Sequence, residues 1–210
     1  MSIDLEEKLS ELKNYSEELG LDLRRKEDRF KWFLASLLFA KRISAEIAKR
    51  TFTEFIERGL TTPERILEAG WDGLVDALDS GGYVRYDFST ATNVLEAVKT
   101  LLERYDGDVD RLHESSTDAK DLEEKLMEFK GFGPVAVNIF LRELRGVWEK
   151  ADPKPSKLAV EVSERIGLKD LKRVKSNESK LVRLNLEYCK RKKCRLCPVK
   201  DYCKDVDEGR

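Results

Sequence analysis

The segment Leu126-Met-Glu-Phe-Lys-Gly-Phe-Gly-Pro-Val-Ala-Val-Asn-Ile-Phe140 decides how this chain is read. Helically spaced apolar residues lead into Gly131 and Gly133, and Pro134 opens a second helical run through Val137, Phe140, Leu141 and Leu144. The pattern predicts two helices joined by a hairpin. Two glycines allow a tight turn and close backbone approach, and proline suits the first turn of the helix that follows. That helix begins with backbone N–H groups that have no partner inside it and point at whatever anion lies ahead. A hairpin of this kind grips phosphate through its backbone and reads no bases. A Gly-x-Gly between helices also serves as a plain tight turn. The candidate phosphate-contacting positions here are Lys130, Gly131, Phe132, Gly133 and Val135.

The same periodicity extends outward in both directions. Phe30, Phe33, Leu34, Leu37 and Leu38 repeat at i, i+3, i+4, i+7 and i+8, and Val94, Val98, Leu101, Leu102 and Tyr105 do much the same. Thr61-Thr62-Pro63 reads as a cap with a first-turn proline, while Gly70, Ser80-Gly81-Gly82 and Gly107 read as breaks. No stretch alternates convincingly as a strand, so the predicted fold class is all-α. From about residue 148 the character changes. Ala151-Asp152-Pro153-Lys154-Pro155-Ser156 is held out of helix by two prolines. A short helix capped by Ser156 and stopped by Gly167 comes next.

All four cysteines follow, as Cys189-x4-Cys194-x2-Cys197-x5-Cys203, within fifteen residues. In a reducing compartment such spacing favours one compact metal centre over disulfides. A [4Fe–4S] cluster is the leading expectation, with tetrahedral zinc as the alternative, because only one x2 knuckle is present where zinc sites usually pair two. The gap between the first two ligands is Lys190-Arg191-Lys192-Lys193, followed by Arg195 beyond the second. A metal centre that pins a wholly basic loop makes a rigid phosphate-binding knob. The region as a whole is polarised. Residues 169–200 carry a net charge of +9, while the entire chain sums to −1.

Composition narrows the field. The chain has 210 residues, 40% hydrophobic and 39% charged, which suits a globular protein with a densely charged surface. No apolar run approaches the roughly 20 residues of a membrane span. The acidic, polar N-terminal stretch shows no targeting segment. One histidine, His113, excludes multi-histidine metal chemistry. No glutamine and only five asparagines, with abundant charge, suggest a thermophilic source. A cytoplasmic, nucleoid-associated protein of a thermophilic prokaryote is expected, without membrane association and acting as a monomer.

With the hairpin and the cysteine pattern on one chain, the sequence resembles the helix–hairpin–helix DNA glycosylases of the endonuclease III type, which end in a [4Fe–4S] loop. The resemblance runs from about Phe30 to Cys203 and is carried by Phe30-Lys-Trp-Phe-Leu-Ala-Ser-Leu-Leu-Phe-Ala40, Gly82-Tyr83, Lys130-Gly-Phe-Gly133 and the four cysteines. It implies a two-lobed fold. Residues 30–147 would form a six-helix barrel containing the helix–hairpin–helix at about 119–145. Residues 1–29 and 148–210 would form a cluster domain with its metal loop at 189–203. It also implies double-stranded, damaged DNA as partner, lying in a cleft between the lobes with a base flipped out.

Several positions depart from the family. Bifunctional members carry a Schiff-base lysine two residues after the hairpin's second glycine, where this chain has Val135, so a lyase is not implied. The family's aspartate position falls on Ser156, and the nearest carboxylate is Asp152, the candidate for activating water or stabilising a departing sugar cation. The first cysteine gap is x4 rather than the usual x6. Lys41 stands where relatives insert a residue into the base stack, and the base-pocket aromatics are sought among Trp32, Phe33, Tyr83 and Tyr86. The expected function is a monofunctional DNA N-glycosylase in base excision repair. The alternative is a DNA-binding, damage-sensing or structural iron–sulfur protein that has lost the chemistry.

Overall fold

The computed structural model describes residues 3–205 and the side chains from Leu5 onward; the outermost residues of the expected cluster domain, 1–2 and 206–210, lie outside the described range. The described residues are helical, with no strand among them. The helices are α1 (Ile3–Ser10), α2 (Tyr15–Glu18), α3 (Lys26–Phe39), α4 (Ala45–Glu57), α5 (Pro63–Ser80) and α6 (Asp87–Tyr105), then α7 (Val109–Ser115), α8 (Ala119–Met127), α9 (Pro134–Leu144), α10 (Lys157–Arg165), α11 (Leu171–Ser176) and α12 (Glu178–Leu184). Local chemistry sets their starts. Ser44, Thr62, Asp108, Asp118, Ser156 and Asp170 each accept a hydrogen bond from a first-turn N–H of the helix they precede. Each such cap is worth about 1 kcal/mol. Gly70 breaks the helical run as expected; with φ at +65° it is non-helical and joins two helical segments of α5 across a kink.

Two compact units divide the chain. The larger spans Leu19–Pro153 and is organised round α3, whose Trp32, Phe33, Leu34, Leu37 and Leu38 are all buried. Phe33 is the hub. Its ring stacks on Phe132 at 4.4 Å and meets Phe129 at 5.5 Å and Phe140 at 5.7 Å edge-on. Trp32 Nε1 donates to the Phe140 carbonyl at 3.2 Å, which fixes α9 against α3. The hairpin is therefore clamped from both sides. Gly131 has φ at +89°, and a Cβ there would lie 2.9 Å from the Asn93 Cβ and 3.0 Å from Leu37, so glycine is required twice over. Gly133 is not under that constraint, with φ at −86° and open space around it.

The smaller unit joins residues up to Glu18 with those from Lys154 onward. Leu5 and Leu9 of α1 pack with Ala159, Val162 and Ile166 of α10, Val174 of α11 and Leu181 and Leu184 of α12. Arg183 ties the two chain segments together. Its guanidinium pairs with Glu18 and Glu187, donates to the Lys13 carbonyl and lies over the Tyr15 ring at 5.6 Å.

The division differs from the expected 29/30 and 147/148 boundaries, because both flanks pack into the larger unit. Arg29 forms a two-pronged ion pair with Asp110, and Lys26 pairs with Asp108. Trp148 stacks on His113 at 4.8 Å and donates to Asp110, while Lys150 donates to the His113 carbonyl. These polar anchors carry no apolar periodicity, so a pattern of hydrophobic residues does not reveal them.

The Phe33–Phe132 contact generates a test. Phe132→Ala opens a cavity under the hairpin and is expected to cost about 3–5 kcal/mol in denaturant unfolding. Gly131→Ala is expected to destabilise as well, since it combines left-handed backbone with a steric clash, whereas Gly133→Ala is expected to stay within about 1 kcal/mol of wild type.

Candidate functional site

Two sites can be built, one in each unit. In the larger unit, α8 runs into the turn Glu128–Gly133 and α9 starts at Pro134. Phe132 N–H donates to the Phe129 carbonyl and Gly133 N–H to that of Gly131, which closes the turn. No side chain caps α9, and Pro134 has no N–H, so the first-turn amides of Val135 and Ala136 are offered outward. Lys130, Gly133 and Val135 are exposed around this end, and Val135 shows 60% of its surface. The Phe132 side chain is 2% exposed within the aromatic cluster, so any contact expected at this position falls to its backbone.

The other expected positions in this unit separate. Lys41 is half-buried just after α3, with no ion pair among the described residues. Trp32, Phe33 and Tyr83 are fully buried in the core rather than lining a pocket. The Tyr83 hydroxyl donates to the Leu38 carbonyl at 2.6 Å, and burial pushes its pKa well above the usual phenol range. Tyr86 is half-buried beneath the Arg85 guanidinium. Asp152 exposes half of its side chain and lies 3.7 Å from the Arg145 guanidinium, whose other end donates to the Pro153 carbonyl.

In the smaller unit, Ser156 occupies the position that the resemblance gives to an aspartate. It is the N-cap of α10, and its own N–H donates to the buried carboxylate of Glu178 at 2.8 Å. The residue there does structural rather than acid–base duty.

The cysteines are delivered by a succession of short turns. A π-helical turn over Asn185–Cys189 continues α12, and 3₁₀ turns cover Cys194–Leu196 and Lys200–Tyr202. The x4 gap closes tightly, with Lys192 N–H donating to the Cys189 carbonyl and Lys193 N–H to that of Tyr188. Lys192 adopts φ of +53°, a left-handed conformation that costs a non-glycine residue about 1 kcal/mol. Val199, 1% exposed, sinks the following turn into the core formed with α1, α10 and α12.

The result is a small, partly open cavity lined by Cys189, Cys194, Cys197 and Cys203 together with Arg165, Tyr188, Lys200 and Asp205. None of the four thiols is in a disulfide. Burial pushes the Cys189 thiol up, with the neighbouring Arg165 guanidinium working in the opposite direction. Burial also raises Cys197, opposed by the Val199 N–H. Among the described residues, no three His, Cys, Asp or Glu side chains converge on a single ion position. Over this cavity Lys190, Arg191, Lys192 and Lys193 are all exposed, and none has an ion pair among the described residues. Arg195 is exposed beside them.

Arg165, Tyr188, Lys200 and Asp205 are not among the residues expected from sequence. Arg165 lies 24 positions before Cys189 at the end of a separate helix, so no spacing motif links the two.

The exposure of Val135 generates a second test. Val135→Lys is expected to fold normally, with a loss of about 0.5 kcal/mol from placing a cation at a helix N-terminus, measured by thermal or denaturant unfolding. A loss of several kcal/mol would mean that this side chain is packed. Compared with known proteins, the chain matches no family model and no curated protein.

Proposed function

We propose that this protein is a DNA-binding enzyme of base excision repair, a monofunctional DNA N-glycosylase of the helix–hairpin–helix, endonuclease III type. The observation that carries the reading is the presence on one chain of two independent phosphate-binding devices. One is a hairpin whose α9 has no side-chain cap, and the other is a four-cation loop, without an ion pair among the described residues, between two of the thiols that wall the cavity. Neither device has a feature suited to reading bases, which fits a protein that grips duplex backbone wherever a lesion lies.

The cavity suits a [4Fe–4S] cluster held by Cys189, Cys194, Cys197 and Cys203. The donor set is four soft sulfurs. All four line one cavity. When bound, such a cluster supplies a covalent cross-link between the ends of the basic loop, keeping its four cations together against their mutual repulsion.

For the reaction, Val135 has no amine, so no Schiff base forms at that position and water is the nucleophile. Asp152 is the carboxylate proposed to orient that water or to stabilise the sugar cation as the base departs. The Arg145 guanidinium beside it holds its loop through the Pro153 carbonyl. A second reading, a DNA-binding damage sensor without chemistry, is favoured by the same geometry at one point: Asp152 is already engaged by Arg145, and Ser156 caps a helix where the family has its aspartate. No helix among the described residues is long and apolar enough to cross a membrane.

Duplexes carrying single uracil, oxidised pyrimidine, 8-oxoguanine, alkylated purine or abasic sites distinguish these readings. Strand breaks that appear only after alkali are expected with one of the base lesions, and Asp152→Asn is expected to slow them at least about 100-fold. Breaks without alkali would overturn the assignment of a hydrolytic enzyme. Tight binding with no cleavage anywhere in the panel would establish the sensor.

Changing Lys190, Arg191, Lys192 and Lys193 together to alanine is expected to weaken binding to all duplexes alike. The slope of log affinity against log salt should flatten by about 3–4, since each lost phosphate contact contributes roughly 0.9. An unchanged slope would remove the loop from the DNA contact.

A further inference from the structure

We propose that Arg165 is a positioning residue for the sulfur-ligated centre, its guanidinium shared between the Cys189 sulfur and the Asp205 carboxylate so as to favour the more electron-rich state of the bound group. The inference rests on the reading of the thiol cavity as an iron–sulfur site.

Arg165 ends α10, and the turn beyond it is closed by Gly167 N–H to the Glu164 carbonyl and Leu168 N–H to that of Ser163, so its backbone is fixed. Both ends of the residue reach the segment that follows Cys203. The Arg165 carbonyl accepts from the Lys204 N–H at 2.9 Å, and Nε lies 3.7 Å from Asp205 Oδ2. The side chain also lines the cavity with all four thiols. The residue is thus held by its backbone carbonyl and by Asp205 at the wall of the thiol cavity.

Four thiolates and their metal leave a net negative charge in a partly enclosed space. A cation donating to a ligand sulfur stabilises the state with the extra electron, so it raises the reduction potential and strengthens retention of the metal. Asp205 pulls the same guanidinium the other way. Lys200 lines the cavity too, but it is exposed, so water and salt screen it more strongly. The two partners of Arg165 therefore predict opposite signs, which a purely structural role would not produce.

The experiment uses the full chain, purified without oxygen, as wild type, Arg165→Gln, Arg165→Lys and Asp205→Asn. Iron and sulfide content and visible absorption are read first, then the midpoint potential, then iron loss to a chelator. Arg165→Gln is expected to lower the potential and weaken iron retention about 10- to 100-fold. Arg165→Lys should fall between it and wild type, and Asp205→Asn should raise the potential. If wild type holds a cluster and Arg165→Lys and Asp205→Asn both keep its potential, the role of Arg165 is overturned while the cluster reading stands. Wild-type protein without iron and sulfide overturns the cluster reading and this inference with it.

Discussion

The stack of Phe33 on Phe132 is the contact on which the larger unit depends. It joins the central helix α3 to the hairpin between α8 and α9, and Phe129 and Phe140 close around it edge-on. Ring pairs of this geometry add about 0.5–1.5 kcal/mol each beyond the area they bury. Their larger consequence is positional. With Phe132 inserted as a plug and Gly131 pressed against Leu37 and Asn93, the turn has one conformation, and the amides at the start of α9 face out without a capping side chain. A backbone-mediated grip works only if the backbone is already in place, because ordering it at the moment of binding would consume the interaction.

The smaller unit solves a different problem, that of holding cations together. Elsewhere the charged surface is largely neutralised locally. Arg58 pairs with Glu54 and Asp76, Arg104 with Glu128, Arg111 with Asp106 and Lys120 with Glu124. Such exposed pairs stabilise by at most about 1 kcal/mol each. The loop Lys190–Lys193 has no such partners among the described residues, adopts a left-handed conformation at Lys192 and is tied down by its own backbone hydrogen bonds. Repulsion and strain persist there because the flanking residues are anchored, on one side by α12 and its π-helical extension and on the other by Val199 in the core. Strain kept at an exposed, charged turn is typical of a place selected for binding rather than for stability.

Much of this was legible in the sequence, for reasons particular to each element. The caps Thr62 and Ser156, the hairpin glycines and the helical periodicity of α3, α6 and α9 are local signals, and each appears in the structure where the pattern puts it. The grouping of the cysteines was visible because they are close along the chain as well as in space. That the Phe132 side chain is buried was not legible from its place between two glycines. Its burial depends on Phe33, about a hundred positions earlier. The unit boundaries shifted because Arg29, Trp148 and Lys150 are held by side-chain contacts to Asp110 and His113, which leave no periodic trace.

The sequence by itself determined that the chain is helical, that its glycine hairpin separates two helices, and that four thiols and a run of bases share one short segment. Those are matters of backbone propensity and of neighbours along the chain. Only the tertiary structure decided which hairpin atoms face outward, that Asp152 is engaged by Arg145 while Ser156 caps α10, and that Arg165 stands against the thiol cavity. Each of these depends on residues brought together by packing between helices, and packing is set by shape complementarity across the whole unit rather than by any spacing along the chain.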